Sequence, residues 1–296
     1  MPPISHTRAL RDYQLLDNVW ATHGVVFLSG TQALVRLMWM QRQLDERQQW
    51  NTRGFISGYR GSPLGMVDQV IWKQDEKFKN AGIEFVPAIN EELGATQVLG
   101  TQRVESDPER TVDGVFGLWY GKGPGVDRAG DALKHGNAYG SSPHGGVLVV
   151  AGDDHGCVSS SMPHQSDQVF QSWHMPVVSP ADVSELVSFG LYGFALSRYS
   201  GAWVGMTALS EVVESSTTVD LDEINAQTAA WKTLQEVQAL TGHQSPPDGL
   251  HYRWPDLPSL SIESRLQDKL AAVAAFAQVN SIDRTVIDSP QAHIGI

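Results

Sequence analysis

The sequence predicts an α/β protein, a doubly wound and mainly parallel sheet followed by a C-terminal helical connecting arm. From about Val25 to about Thr207, short apolar runs alternate with segments whose apolar residues recur at helical spacing. That is the pattern of right-handed strand–helix–strand crossovers. Val147-Leu148-Val149-Val150-Ala151 is apolar at every position, so both faces need cover, as those of a central parallel strand have. After about Asp222 the strand signals stop and two amphipathic helices remain.

The elements follow in order. Thr31 is a candidate N-cap for a helix carrying Ala33, Leu37, Met40 and Leu44 on one face. Gly54 to Gly58 reads as a short strand. A helix from Met66 to Asn80 comes next, closed by Gly82 as a C-cap. Ile83 to Val86 is the next strand, Glu91 to Glu105 the next helix and Thr111 to Trp119 another strand. A glycine-rich loop then leads to a helix over Val126 to His135. Beyond the central strand, Val183, Leu186, Val187, Leu191 and Phe194 mark one helix face, and Ala202 to Met206 is a strand. The arm comprises Gln227 to Leu240, a turn-forming Gln244-Ser245-Pro246-Pro247-Asp248-Gly249 and a helix over Ile262 to Phe276. These signals divide the chain into an N-terminal extension (1–24), an α/β domain (25–222), a helical connecting segment (223–290) and, at 291–296, the apolar start of a following domain. A short C-terminal edge strand accounts for the last segment equally well.

Composition narrows the function classes. With 21 Lys+Arg against 33 Asp+Glu in 296 residues, the net charge is −12 and no basic run stands out. Nucleic acid is therefore not an expected partner. The 41 % hydrophobic content supplies a packed core, and the single cysteine excludes a disulfide framework or a thiolate-held cluster on this chain. No apolar run approaches the roughly 20 residues of a membrane helix, and the opening residues lack a signal-peptide core. A cytoplasmic protein is expected, with no membrane partner.

Three segments place polar groups where strands give way to helices. In an open parallel sheet those loops line the ligand crevice. Gly58-Tyr59-Arg60-Gly61-Ser62-Pro63-Leu64-Gly65 offers close backbone approach, a guanidinium fork and a hydroxyl, or is simply a strand-to-helix turn. Asn90-Glu91-Glu92 begins a helix, where Asn90 can cap and the helix N-terminus favours an anionic Glu91; ordinary capping explains it too. Gly152-Asp153-Asp154-His155-Gly156 leaves the strongest strand, ahead of Ser159, Ser160, Ser161, His164 and Gln165. Its spacing matches no zinc or iron template. The magnesium motif of thiamine enzymes needs Gly-Asp-Gly and a later Asn, and no Asn occurs between Asn137 and Asn225. No metal ligand is assigned. Gly121-Lys122-Gly123-Pro124-Gly125 fits neither the phosphate-loop nor the dinucleotide fingerprint, which argues against a nicotinamide-dependent dehydrogenase, and reads as a flexible rim loop.

Taken together, these segments resemble those of an indolepyruvate ferredoxin oxidoreductase of the 2-oxoacid:ferredoxin oxidoreductase family. The likeness is to the N-terminal pyrimidine-binding region of the long fused bacterial form. It is carried by Phe55 to Gly65, Asn90 to Thr96, Gly121 to Asp127, and Gly152 to Gly156 with Ser159-Ser160 and Pro163-His164-Gln165-Ser166, and extends to Arg253-Trp254-Pro255-Asp256. The resemblance implies a thiamine diphosphate pyrimidine-binding domain whose cofactor is shared with a diphosphate-binding domain or subunit not found in this chain. Magnesium and iron–sulfur clusters belong to the complete enzyme only. It implies that Glu91 is catalytic, bonding a pyrimidine ring nitrogen and favouring the imino tautomer, and that Gly61 and Asn90 also bind cofactor. Ser62 matches the hydroxyl residue that contacts the substrate carboxylate in simpler relatives, whereas Arg60 replaces a proline of their loop. Arg60, Ser62, Asp154, His164 and Gln165 are the implied substrate-binding residues. The implied reaction is oxidative decarboxylation of a 2-oxo acid to an acyl-CoA, with coenzyme A and ferredoxin as partners in an oligomer. The chain is expected to be incomplete alone, as a fragment, a truncated product or a subunit. A non-catalytic assembly domain that keeps the fold is the alternative.

Overall fold

The computed structural model describes residues 13–253 and 260–288, together with His293. Most of the expected segment 291–296, and the first twelve residues of the N-terminal extension, lie outside the described residues. The chain begins with α1 (Asp17–Trp20), β1 (Val25–Ser29), α2 (Gly30–Arg47), β2 (Arg53–Gly58), α3 (Val67–Trp72), α4 (Asp75–Asn80) and β3 (Ile83–Phe85). It continues through α5 (Glu91–Thr101), β4 (Val115–Lys122), α6 (Gly123–Arg128), α7 (Gly130–Tyr139), β5 (Val147–Gly152), α8 (Ser166–Ser172) and β6 (Val177–Val178). The rest comprises α9 (Val183–Ser200), β7 (Val204–Thr207), α10 (Ser210–Val213), β8 (Ser216–Asp220), α11 (Leu221–Ala230), α12 (Leu234–Thr241) and α13 (Ser261–Val279).

Six strands form one sheet in the order β3-β2-β4-β5-β7-β6, every neighbouring pair parallel. All six residues of β5 are buried, because helices cover both faces. Leu148 and Val150 point into a core shared with Leu37 of α2 and Leu186 and Leu191 of α9. Val147, Val149 and Ala151 point the other way, into a core with Val98 of α5, Leu133 of α7 and Phe170 of α8. This is the doubly wound architecture that the strand–helix alternation predicts.

Several boundaries differ from the sequence-based expectation. β1 stands outside the main sheet, paired antiparallel with β8. Its alternating pattern, Val26 and Leu28 buried and Val25 and Phe27 exposed, suits a ribbon covered on one side. Ser29 rather than Thr31 caps α2, in a reciprocal capping box with Gln32. The expected helix over Met66–Asn80 is two helices, α3 and α4, and that over Gln227–Leu240 divides between α11 and α12. The glycine-rich loop at Gly121 is not a loop: Gly121 and Lys122 pair with Ala151 and Gly152 at the end of β4, and α6 begins at once. The C-terminal helix α13 packs on α9 and α12, placing Ala272 and Phe276 in the core.

A buried ion pair ties α2 to α9 at the amino edge of the sheet. Arg198 meets Asp45 bidentately at 2.6 and 2.8 Å, Gln41 and Thr52 donate to the same carboxylate, and Arg198 Nε donates to Gly145 O at 2.8 Å. Removing Asp45 strands a buried guanidinium, so Asp45→Ala is expected to lower unfolding free energy by about 3–5 kcal/mol in urea titration. A loss below about 1 kcal/mol would instead mark it as a pair of surface strength. A buried lysine also pins α13. Lys269 Nζ donates to Asn137 O and Ala138 O, both at 2.9 Å, in the last turn of α7. Burial holds its ammonium pKa well below the usual lysine value, and Arg265 adds to the effect. The unfolded chain therefore binds more protons here, and stability from this group rises as pH climbs towards the ordinary lysine pKa and is lost as pH falls. Lys269→Met is expected to flatten the rise in urea midpoint between about pH 7 and pH 10 relative to the parent protein; an unchanged slope would show that Lys269 titrates alike in both states.

Candidate functional site

In the sheet, β2 and β4 are neighbours whose chains leave in opposite directions. From β2 the chain passes to α3, which packs with α2, whereas from β4 it passes to α6 and α7 on the other face. This is a topological switch point, and the crevice it opens beyond the carboxyl ends of the strands is where open α/β sheets bind ligands. The three segments singled out by sequence, with the start of α6, surround this edge.

Glu91 opens α5 on one side of the crevice. Asn90 caps the helix, its side chain accepting from Leu93 N at 2.9 Å, so its amide oxygen is engaged in positioning Glu91. Trp119, fully buried in β4, donates its indole N–H to Glu91 O at 2.9 Å. The Glu91 side chain lies against α6, where a Cβ on Gly125 would come within 2.6 Å of Glu91 Cγ. Only glycine leaves room for the carboxylate in that place. Arg128 Nε stands 3.6 Å from Glu91 Oε2, and the Glu91 side chain is 17 % exposed. The arrangement presents an oriented, partly dehydrated carboxylate to the crevice.

The loop after β2 forms the facing side. Tyr59 N donates to Tyr120 O at 3.1 Å, continuing the strand register. Beneath it, Tyr120 OH donates to the buried Asp68, and burial followed by that bond pushes the phenol pKa far above its ordinary value. Arg60 is exposed and makes no hydrogen bond or ion pair among the described residues. Ser62 Oγ lies 3.5 Å from Glu214 Oε1, at the far limit of a hydrogen bond. Gly61 packs on the Lys122 stem, its would-be Cβ 3.3 Å from Lys122 Cβ.

The loop after β5 crosses the end of β4. Asp153 is buried and accepts from Ser166 N at 2.8 Å and Ser166 Oγ at 2.6 Å, fixing the start of α8. Burial raises its pKa against the lowering effect of those bonds. Asp154 accepts from Val158 N, Ser159 N, Ser159 Oγ and Ser160 Oγ at 2.8–3.3 Å. The backbone N–H groups of Ser159 and Val158 hold its carboxyl below the usual carboxylate range. The loop's own donors thus occupy this carboxylate. His164 Nε2 meets Asp127 Oδ2 of α6 at 3.2 Å, and a Cβ on Gly123 would clash with its Cβ at 2.4 Å and its ring Cγ at 2.5 Å. Gln165 is exposed and makes no side-chain bond among the described residues.

The structure thus gathers Gly61, Ser62, Asn90, Glu91, Asp154 and His164 at one edge. It leaves Arg60 and Gln165 exposed at the rim, with no side-chain hydrogen bond or ion pair among the described residues. Lys122, Asp127, Arg128 and Glu214, which link these segments, are absent from the sequence-based set. The first three lie in or beside the glycine-rich stretch read as a loop, and the Ser62–Glu214 contact spans 152 residues, beyond any local pattern. Among the described residues no group of three His, Cys, Asp or Glu side chains is placed to hold a metal ion. No helix among them is long and apolar enough to cross a membrane.

No protein-family model and no curated protein matches this sequence. The fold does match solved structures. One is the 2-oxoglutarate:ferredoxin oxidoreductase from Magnetococcus marinus, determined with 2-oxoglutarate, coenzyme A and succinyl-CoA bound. The TM-score is 0.57 at 18 % sequence identity, and the match covers 86 % of this chain and 46 % of that one. This chain therefore shares its α/β fold with a region spanning less than half of that enzyme.

Proposed function

We propose that this chain is the pyrimidine-binding part of a thiamine-diphosphate-dependent 2-oxoacid:ferredoxin oxidoreductase of the indolepyruvate type, oxidising a 2-oxo acid to an acyl-CoA. The observation that carries the reading is Glu91. It is a carboxylate fixed at the switch-point crevice by a cap, an indole and a glycine cradle. The fold shared with a 2-oxoacid oxidoreductase supports the same reading.

The residues present fit an aminopyrimidine. Gly125 gives Glu91 its place at the crevice, where side-chain bulk would exclude it. When bound, the thiamine group supplies the nucleophilic carbon and the electron sink for decarboxylation. Glu91 would hold a proton at its Oε atoms against a ring nitrogen, and Asn90 and Trp119 would fix the direction of that bond through the helix start. Ser62 would offer its hydroxyl to the substrate. Asp154 would act on the loop, keeping Ser159 and Ser160 folded over the end of β4. His164, bonded to Asp127, would hold the same loop against α6, and Arg60 and Gln165 would contact substrate from the rim.

The diphosphate site, magnesium, iron–sulfur clusters and coenzyme A chemistry would come from other domains or subunits. Exposed apolar side chains around the crevice support a covering partner there: Tyr59, Met66, Ile89, Leu93, Val158 and Met162.

The test is Glu91→Gln in the assembled enzyme, which keeps the shape and removes the acid. Turnover of 2-oxo acid with ferredoxin is expected to fall by about 10²–10⁴-fold, the range for loss of a positioned acid–base group. Full activity in that variant would remove Glu91 from the role and the reading with it.

A further inference from the structure

We infer that Lys122 is the anchor for the carboxylate of the 2-oxo acid, an inference that rests on the function proposed above. Lys122 ends β4 at the switch point, between the loop after β2 and the loop after β5. Its stem runs along Gly61 and its ammonium donates to Ser159 O at 2.7 Å and Ser159 Oγ at 3.3 Å. Both partners are neutral. No carboxylate among the described residues lies within ion-pair distance, although the chain carries 33 acidic residues. Glu91, the acid built into this crevice, is turned towards Arg128, and Asp154 is occupied by Val158, Ser159 and Ser160.

An ammonium has three donors and no acceptor. Two are directed to Ser159, so one is left for a ligand, and among the described residues no carboxylate pairs directly with this half-buried charge. Ser62 is the residue next to Gly61, so a carboxylate received by Lys122 also comes to the loop that carries the Ser62 hydroxyl. Glu91 stands at the other end of the same Gly123–Gly125 stretch, against Gly125. Lys122 and Glu91 thus flank the start of α6 from its two ends, and a 2-oxo acid held at its carboxylate by Lys122 would lie beside the crevice that Glu91 lines. Arg60, on the far side of Gly61, is exposed and adds long-range attraction.

Two variants and two readouts test this. Lys122→Met keeps the stem on Gly61 and removes the charge; Lys122→Arg restores it. In the assembled enzyme, Lys122→Met is expected to raise KM for the 2-oxo acid about 10- to 100-fold, the worth of a charged hydrogen bond. The cofactor dissociation constant should be unchanged, and Lys122→Arg should recover part of the loss. The second readout is the Lys122 side-chain NMR signal of this chain, titrated with pyruvate, pyruvamide or inorganic phosphate. Pyruvate should shift the signal and pyruvamide, which lacks the carboxylate, should not. An unchanged KM in Lys122→Met overturns the proposal, as does a loss of cofactor affinity in its place or a signal moved by phosphate and not by pyruvate. If Lys122→Met is silent while Glu91→Gln is inactive, the anchor fails and the proposed function stands. If no 2-oxo acid is turned over, the function fails, and the pyruvate and pyruvamide titrations alone decide whether Lys122 binds a carboxylate.

Discussion

Everything in this fold follows from burying a parallel sheet on both faces. β5 has no position exposed to solvent, and its neighbours β4 and β7 come close to the same condition. Parallel strands joined by crossovers all run the same way, so every loop that follows a strand emerges at one edge. Polar side chains cannot be accommodated along such strands without partners. They collect at the carboxyl ends, and Ser57, Asp153 and Thr207 each lie there, buried and hydrogen-bonded. The gathering of polar groups at that edge is a consequence of the layer architecture before any particular residue is chosen.

Within the edge, adjacent carboxylates have different duties because their surroundings differ. Asp153 is desolvated and its pKa rises, yet it is held by both donors of Ser166 and so sets where α8 starts. Asp154, one residue on, faces a turn that supplies backbone N–H groups and hydroxyls, and its pKa falls. An ionised Asp154 keeps the loop folded, since each of those donors bonds the anion more strongly than the neutral acid. The loop in turn presents the Ser159 carbonyl oxygen to Lys122. Order thus passes from a buried carboxylate, through a turn, to the Lys122 ammonium at the end of β4.

What sequence patterns could disclose was local. The β5 run, the Asn90 cap ahead of Glu91 and the loop after β2 are each encoded within a few consecutive residues, and the structure places them together. The β1–β8 ribbon escaped because its partners lie some 190 residues apart, and β6, with two residues, is too short to carry a period. The Gly121 stretch misled for a physical reason. Glycine is a poor strand former in isolation, but Gly121 is needed inside β4 because the Trp119 indole occupies the space above it, 2.5 Å from a would-be Cβ. The residue that looks like a breaker is therefore a packing requirement of the tryptophan that holds Glu91. Lys122 was hidden with it, at the end of a strand that runs three residues past the expected Trp119. Arg128 and Glu214 were illegible on other grounds, since their importance lies wholly in partners distant in sequence.

The way Glu91 is held bears on what it can do. Its position is set by packing against Gly125, which leaves the space the carboxylate fills, and by the Asn90 cap and the Trp119 bond to its backbone, neither of which hydrogen-bonds the carboxylate oxygens. The one charged contact among the described residues, with the exposed Arg128 at 3.6 Å, is of the kind that contributes little in water. Here orientation and charge are separated: the backbone and glycine fix where the oxygens lie, and the weak contact leaves them open to whatever enters the crevice. A partner covering the exposed apolar rim would expel water from the same place and lower the local dielectric. Every electrostatic interaction of Glu91 and Lys122 would then grow stronger without either side chain having to move.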